Sequence, residues 1–257
     1  MKDRSDLPLL LKRNVLRGWP RTAIRFSWCA IALAIVAFVP TARPAASHPA
    51  NAPAKALDTT GAPMKTYGSK NAPIMVEVFS DFQCPSCRAF YEMTLRPMIS
   101  DYVAAGKVYI IHRDFPLTMH RYGYQAARWA NAAARIGEFQ QVEAALYDNQ
   151  DAWAANGDIA KYVSTAMSAA DFKRVEKLME GCADQGAPAV KPAAAQTGHA
   201  CAEDTYIEQD RALGNQIPVQ ATPTFVIYYK GKKFSAASGV VSWTILKQFF
   251  DQLLSQP

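Results

Sequence analysis

A pair of cysteines lies where a strand-like segment gives way to a helix-like one. Residues 74–79 are β-rich and almost continuously apolar, which predicts a strand buried on both faces. Cys84 and Cys87 follow this strand, and a helix-like stretch begins at residue 88. Because a helix N-terminus points unpaired amides and the positive end of its dipole at the first sulfur, a thiolate is favoured at Cys84. This junction predicts a reactive dithiol.

The two residues between the cysteines fit this chemistry. Pro85 suits a first helical turn, where its missing N–H costs nothing, and Ser86 completes the turn. The spacing lets Cys87 approach the Cys84 sulfur. We therefore predict that Cys84 is the exposed, attacking thiol and that Cys87 is the resolving thiol.

Zinc binding or a structural disulfide is the other common use of such a pair. A zinc site usually needs a second close pair of ligands, and Cys182, His199 and Cys201 lie at no such spacing. We therefore predict redox chemistry with no metal and no cofactor. We interpret the four histidines as surface or packing residues: His48, His112, His120 and His199.

The residues after the cysteine pair continue a regular pattern. A helix is expected from residue 88 towards residue 105, with a kink at Pro97, and Gly106 supplies its stop. A second β-like run covers residues 108–112. Together with the first strand these segments predict a β-α-β unit with parallel strands.

A long helical block follows. Residues 119–180 are rich in alanine, lack proline and show helical apolar spacing. Breaks between helices are expected at residues 156–157 and 169–171, and residues 203–213 return to helix.

The C-terminal part predicts two further strands and a helix. Residues 224–229 and the segment near Phe234 are strand-like, and Ser242 is a good N-cap for a last helix. The whole order predicts an α/β, thioredoxin-like fold with an inserted helical subdomain at about residues 118–213, within a domain that spans residues 63–257.

The first 39 residues differ from this domain. A basic run precedes the uncharged residues 26–39, which is the order of a secretory signal. A helix of this length rises roughly 21 Å, short of the roughly 30 Å bilayer core, so a cleaved signal is favoured over a membrane anchor. Cys29 is interpreted as an inert residue of the apolar segment, and residues 40–62 as a flexible linker.

The net positive charge of the chain comes from its N-terminal part. Residues 1–50 contain eight of the 28 Lys and Arg residues and two of the 22 Asp and Glu residues, so the remainder carries 20 of each sign. The folded part therefore offers no bulk electrostatic attraction for nucleic acid, and we exclude that role.

Cys182 and Cys201 enclose a loop rich in Pro, Gly and Ala. In an oxidising compartment they are expected to form a structural disulfide worth about 3 kcal/mol. A second redox pair or two free thiols are the alternatives.

Three motifs occur in order along the chain. They are Ser-Asp-Phe-Gln-Cys-Pro-Ser-Cys at residues 80–87, Arg-Asp-Phe-Pro-Leu at residues 113–117 and Thr-Pro-Thr-Phe at residues 222–225. Together they resemble the DsbA-like family of thioredoxin-fold thiol–disulfide oxidoreductases, over roughly residues 64–254. The resemblance implies a cis bond before Pro223, with backbone groups of Thr222 pairing with an incoming peptide beside Cys84.

One position departs from the family pattern. Similar proteins often carry a buried acid six residues before the first cysteine, where this chain has Val78. Glu77 lies one residue earlier, and strand alternation turns it to the opposite sheet face, so it is not expected to relay a proton. Asp81 is interpreted as a turn residue near the cysteines.

These observations predict an exported, monomeric dithiol oxidase that introduces disulfides into reduced secreted or periplasmic proteins. The resemblance implies reoxidation by a membrane thiol oxidase that is DsbB-like or similarly linked to quinones. A disulfide isomerase or thiol reductase would use the same pair, and a metal-carrying thiolate module is the alternative of another class.

Overall fold

The computed structural model of the protein describes residues 64–182 and 201–256. The predictions for residues 1–39 and 40–62, and those for Cys29, His48 and His199, lie outside these ranges. None of the helices in the described ranges is long and apolar enough to cross a bilayer.

A five-stranded mixed sheet forms the centre of the fold, in the order β1-β3-β2-β4-β5. The central strand β2 pairs in parallel with β3 and antiparallel with β4, which confirms the predicted β-α-β unit. Strand β1 is not predicted from the sequence, since two residues are too few to show the alternation of apolar and polar side chains. The strands are β1 (Thr66–Tyr67), β2 (Ile74–Ser80), β3 (Val108–Asp114), β4 (Thr224–Tyr229) and β5 (Lys232–Ser238).

The helix after the cysteine pair departs from the expected single kink at Pro97. Helix α1 (Pro85–Phe90) continues through a π-helical stretch (Tyr91–Leu95), a short α2 (Arg96–Met98) and a second π-helical stretch (Ile99–Val103). The wide turns lie on both sides of the proline, whose ring would meet the carbonyl four residues earlier in an ordinary α-helix.

Between β3 and β4 the described residues form six helices. In α3 every residue is buried, which its alanines and single glycine permit in a tightly packed position. The predicted break at Gly157 is present, since this residue ends α5 in a left-handed conformation with φ 80°. The helices are α3 (Gly123–Ala134), α4 (Phe139–Asp148), α5 (Gln150–Asn156), α6 (Ile159–Thr165), α7 (Ala169–Leu178) and α8 (Ala202–Gln216).

The expected break at residues 169–171 is wrong by a few positions. Helix α7 already begins at Ala169, because the Ser168 side chain caps it by accepting a hydrogen bond from the Asp171 amide. The last helix, α9 (Trp243–Leu254), begins as predicted, with the Ser242 side chain accepting from the Ile245 amide.

A buried ionic cluster ties the segment before β1 to β3 and α8. The Lys65 ammonium contacts Asp114, and it lies 2.6 Å from a carboxylate oxygen of Asp210. Asn131 on α3 donates to Asp114 at 2.8 Å. Burial raises the pKa of Asp114, but the charges of Lys65 and His112 outweigh it and hold that pKa below its usual value.

Cys182 and Cys201 are joined by a disulfide. Cys182 follows α7 closely, and Cys201 is the N-cap of α8. The bridge therefore holds together the ends of two consecutive helices of the block.

Replacing both Cys182 and Cys201 by serine is expected to lower the free energy of unfolding by about 3 kcal/mol, because the bridge restricts the unfolded chain. Denaturant titration should compare the parent and the double variant in a Cys84→Ser, Cys87→Ser background, so that the bridge is the sole redox difference. An unchanged free energy of unfolding would contradict the structural role.

Candidate active site

The end of β2 delivers the cysteine pair to the N-terminus of a helix. Cys84 is the N-cap of α1 in extended conformation, and Pro85 occupies the first turn. The amides of Cys87 and Arg88 donate to the Cys84 carbonyl at 3.0 and 3.2 Å. The local geometry is therefore the one the sequence predicts, with the first sulfur at the amide end of the helix.

Both cysteines of the pair are free thiols, and both are buried. The prediction of an exposed Cys84 is wrong, since this residue is only 6% exposed, against 1% for Cys87. The reason is the loop before β4, which covers the sulfur. The Cys84 sulfur lies 3.4 Å from the Thr222 carbonyl oxygen, and the Thr222–Pro223 peptide bond is cis.

The surroundings of Cys84 favour its thiolate. The pKa of Cys84 is lowered to about 5, chiefly by a hydrogen bond from the Cys87 thiol. The Thr222 side chain and the backbone amides of Ser86 and Cys87 act in the same direction, and burial opposes them. Cys84 is therefore a thiolate at neutral pH, ready to attack a disulfide.

Cys87 has the opposite character. Burial raises its pKa well above the usual value, and the adjoining Cys84 thiolate raises it further. The Asp81 amide donates to the Cys87 sulfur at 3.4 Å, and the Ser80 hydroxyl also favours the thiolate, but neither outweighs burial. At neutral pH Cys84 is therefore a thiolate, and the more deeply buried Cys87 is a protonated thiol.

The hydroxyl of Thr222 has no conventional hydrogen-bond partner among the described residues, although it is buried. The Thr222 side chain nevertheless lowers the pKa of Cys84. The loop carrying Thr222 and Pro223 thus belongs to the same site as the cysteines.

Asp81 organises the turn between β2 and α1. Its carboxylate accepts from the amides of Gln83 and Leu117, both at 2.8 Å, and from His120 Nδ1 at 2.7 Å. A Cβ on Gly123 would lie 2.5 Å from this carboxylate, so only glycine fits there. The motif after β3 is thereby fastened to the cysteine turn.

His120 is the partner that sequence reasoning left without a role. The hydrogen bond to Asp81 raises the pKa of His120, and the nearby Cys84 thiolate adds to this effect. Its closeness to the site was visible from the motif before it, but the pairing with Asp81 required the fold.

Glu77 points away from the cysteines, as strand alternation predicts. Its carboxylate accepts from Arg113 Nε at 3.0 Å and from the Tyr228 hydroxyl at 2.9 Å. Val78 and Ser80, on the other face of β2, line a cavity behind Cys87 instead.

This cavity has a volume of about 10 Å³ and a polar end that sequence reasoning did not identify. His112 Nδ1 lies 2.8 Å from a carboxylate oxygen of Glu143, which also accepts from the Tyr67 hydroxyl. Burial lowers the pKa of His112, but Asp114 and Glu143 outweigh it and raise that pKa to about 9. The sequence predicts a surface or packing role for His112, whereas this residue is buried and its raised pKa makes it a cation at neutral pH.

Replacing Cys87 by alanine is expected to raise the pKa of Cys84 by roughly one unit, because the strongest hydrogen bond to its thiolate is lost. Thiolate absorbance in the ultraviolet, titrated against pH, measures this pKa directly. The same titration of a Cys182→Ser, Cys201→Ser variant should give the parent value. A pKa that stays near 5 without Cys87 would contradict this account.

The raised pKa of His112 predicts that the protein loses stability in alkali. The stabilisation from charged His112 is complete below its ordinary pKa of 6.5 and is lost as the pH rises through about 9. A His112→Gln variant should lack this loss. The free energy of unfolding should be followed against pH in a Cys84→Ser, Cys87→Ser background, because the Cys84 thiolate has the opposite effect. Equal slopes in the two proteins would contradict the prediction.

The fold is shared with known proteins. A protein-family model described as thioredoxin matches residues 59–245. The crystal structure of alpha-DsbA1 from Wolbachia pipientis superposes with a TM-score of 0.54 at 18% identity, covering 77% of this chain and 93% of that one. Oxidised BdbD from Bacillus subtilis also gives 0.54, at 17% identity and 76% and 97% coverage.

A curated relative matches a shorter part. The Na(+)/H(+) antiporter NhaA 3 of Salinispora tropica is 36% identical over 85 residues, which are 33% of this chain and 12% of that protein. The chain therefore spans only about an eighth of that relative. The family match, by contrast, covers most of the domain and confirms the resemblance carried by the three motifs. The chain belongs to the thioredoxin family, and its fold is that of the DsbA-type thiol–disulfide oxidoreductases.

Proposed function

We propose that the protein is an exported dithiol oxidase, which introduces disulfides into reduced secreted or periplasmic proteins through Cys84 and Cys87. The observation that carries this proposal is the opposite character of the two thiols. The pKa of Cys84 is lowered to about 5, whereas that of Cys87 is raised. In such a pair Cys84 is a good leaving group for exchange with a substrate, and Cys87 is the buried thiol that resolves the mixed disulfide.

The oxidase reaction follows from these two roles. A substrate thiolate attacks the Cys84 sulfur of the oxidised pair, the Cys84–Cys87 bond breaks, and Cys87 leaves with the electron pair. A second substrate thiolate then attacks the substrate sulfur of the mixed disulfide, and Cys84 leaves as a thiolate. The substrate gains a disulfide, and the enzyme is left as the dithiol.

The direction of transfer rests on the stability of the reduced form. A thiolate that is stabilised at neutral pH stabilises the dithiol state, and the disulfide state gains nothing from the same contacts. The groups that lower the pKa of Cys84 are Cys87, the Thr222 side chain and the helix amides, and they therefore favour reduction of the enzyme and oxidation of its substrate.

The loop before β4 is the proposed binding site for the substrate chain. The Thr222 carbonyl oxygen lies 3.4 Å from the Cys84 sulfur. The loop that contains Thr222 and Pro223 leads directly into β4, which begins at Thr224. We propose that an extended segment of the substrate pairs with the backbone of Thr222, so that its cysteine comes to Cys84.

Export is supported by two features. Residues 1–39 have the order of a signal or anchor, with residues 40–62 as a tether, ahead of a domain at 63–257 whose helical insertion covers about 118–213. The Cys182–Cys201 disulfide is of a kind that persists in oxidising compartments. We propose a monomer that is reoxidised by a membrane thiol oxidase, DsbB-like or similarly linked to quinones.

An isomerase or reductase is the second candidate, and the same thiolate favours it. Attack on a substrate disulfide also requires Cys84 in its charged form. The resemblance to this family also implies that isomerase-like relatives can carry threonine before the proline, as this chain does at Thr222.

A metal-carrying module is the alternative of another class. Within residues 64–182 and 201–256 no group of three or more His, Cys, Asp or Glu side chains is arranged to hold a metal.

The equilibrium of the Cys84–Cys87 pair with glutathione distinguishes these functions. We expect a reduction potential at or above roughly −180 mV, as for known oxidants, because the thiolate stabilises the dithiol. The measurement should use the Cys182→Ser, Cys201→Ser variant beside the wild type, so that only one pair titrates. A value near roughly −270 mV, in the thioredoxin range, would overturn the oxidase and favour a reductase.

A further inference from the structure

The step that Cys87 performs needs a proton acceptor inside the protein. This inference rests on the proposed function, since it concerns how the buried thiol gains and loses its proton during exchange. Cys87 is only 1% exposed, so bulk water does not reach its sulfur freely. A lone thiolate at this depth is costly, and a proton must reach or leave the sulfur as its disulfide bond breaks or forms.

The cavity behind Cys87 identifies the groups that are available. The titratable groups around the thiol, on the elements packed against it, are Cys84, Tyr91, Tyr67, Asp81, His112, Glu143 and Tyr147. Of the acids among them, Asp81 already accepts three hydrogen bonds, from Gln83, Leu117 and His120. Glu143 instead lines the same cavity as Cys87.

A chain of hydroxyl groups leads from the thiol towards this carboxylate. Ser80 lines the cavity together with Cys87, and Ser80 Oγ lies 2.7 Å from the Tyr147 hydroxyl. Tyr147 and Glu143 both line the cavity, whose volume of about 10 Å³ is on the order of what one water needs. Each hydroxyl can accept one proton while donating another, so the chain can move a proton without leaving a charge on Ser80.

The far end of this chain is built to hold a charge. Glu143 is 1% exposed, accepts from the Tyr67 hydroxyl and lies 2.8 Å from His112 Nδ1. His112 is stacked on Phe82 with ring centroids 4.9 Å apart, and its other nitrogen lies 3.4 Å from Asp114. The carboxylate is thus buried and held in a fixed position beside the cavity that Cys87 lines.

We propose that Glu143 accepts and returns the proton of the Cys87 thiol during thiol–disulfide exchange. The path runs through Tyr147 and Ser80, and His112 holds the carboxylate in place. The proton acceptor is then a residue of the helical insertion. The face of β2 that lines the cavity carries Val78 and Ser80 and has no acid at these positions.

The proton and electron balance is as follows in the direction of enzyme oxidation. Glu143 takes the proton of Cys87, and the resulting thiolate attacks the Cys84 sulfur of a mixed disulfide. The Cys84–Cys87 bond forms, the bond from Cys84 to the bound thiol breaks, and that thiol leaves as a thiolate. In the reverse direction Cys87 leaves as a thiolate and takes the proton back from Glu143.

Rapid mixing of the reduced protein with glutathione disulfide separates the two steps. The first phase, attack by Cys84, depends on the glutathione disulfide concentration, whereas the second, resolution by Cys87, does not. In a Glu143→Gln variant we expect an unchanged first phase and a second phase about 100-fold slower at neutral pH. The slow phase should then accelerate roughly tenfold per pH unit as hydroxide replaces the carboxylate.

A Glu77→Gln variant is the matched control. Glu77 is a buried, paired carboxylate on the opposite face of β2, so both phases and their pH profiles should match the wild type. A folded Glu143→Gln protein whose second phase and pH profile equal those of Glu77→Gln would overturn the proposal.

A Tyr147→Phe variant removes one hydroxyl of the path and keeps the ring that stacks on Tyr91. We expect its second phase to slow by about tenfold with an unchanged first phase. If the Glu143→Gln variant does not fold, the Tyr147→Phe variant tests the proposal by itself. An unchanged second phase in the Tyr147→Phe variant would then overturn the proposal. Absence of the first phase in the wild type would instead overturn the proposed function itself.

Discussion

The hydrogen bond between the two thiols governs the chemistry of this protein. It lowers the pKa of Cys84 to about 5 and, together with burial, raises that of Cys87. It exists because β2 ends against the sheet centre and α1 begins at Cys84, which brings the sulfurs together across one helical turn. The amides of that turn add to the same effect, so the fold and the reactivity share one origin.

The remaining contacts of the site keep this junction in shape. Asp81 fastens the turn to the loop after β3 and to His120, and the loop carrying Thr222 covers the first sulfur. This loop explains why Cys84 is almost buried. Under the proposed function, a substrate chain that pairs with this loop brings its cysteine to Cys84.

The helical insertion is joined to the sheet by buried charges as well as by apolar packing. His112 and Asp114 on β3 contact Glu143 on α4, Asn131 on α3 and Lys65 before β1. Removing one partner from such a cluster commonly costs about 3–5 kcal/mol, because the other charge is left buried and alone. The polar end of the cavity behind Cys87 is part of this same cluster.

What the sequence by itself determined is what depends on near neighbours in the chain. The apolar run of β2, the Cys84–Cys87 spacing, the alternation that turns Glu77 away and the cap at Ser242 are local patterns with local causes. The tertiary structure alone decided which distant groups meet. The burial of Cys84, the pairing of Asp81 with His120 and the meeting of His112 with Glu143 join residues from different elements, and no periodicity records such contacts.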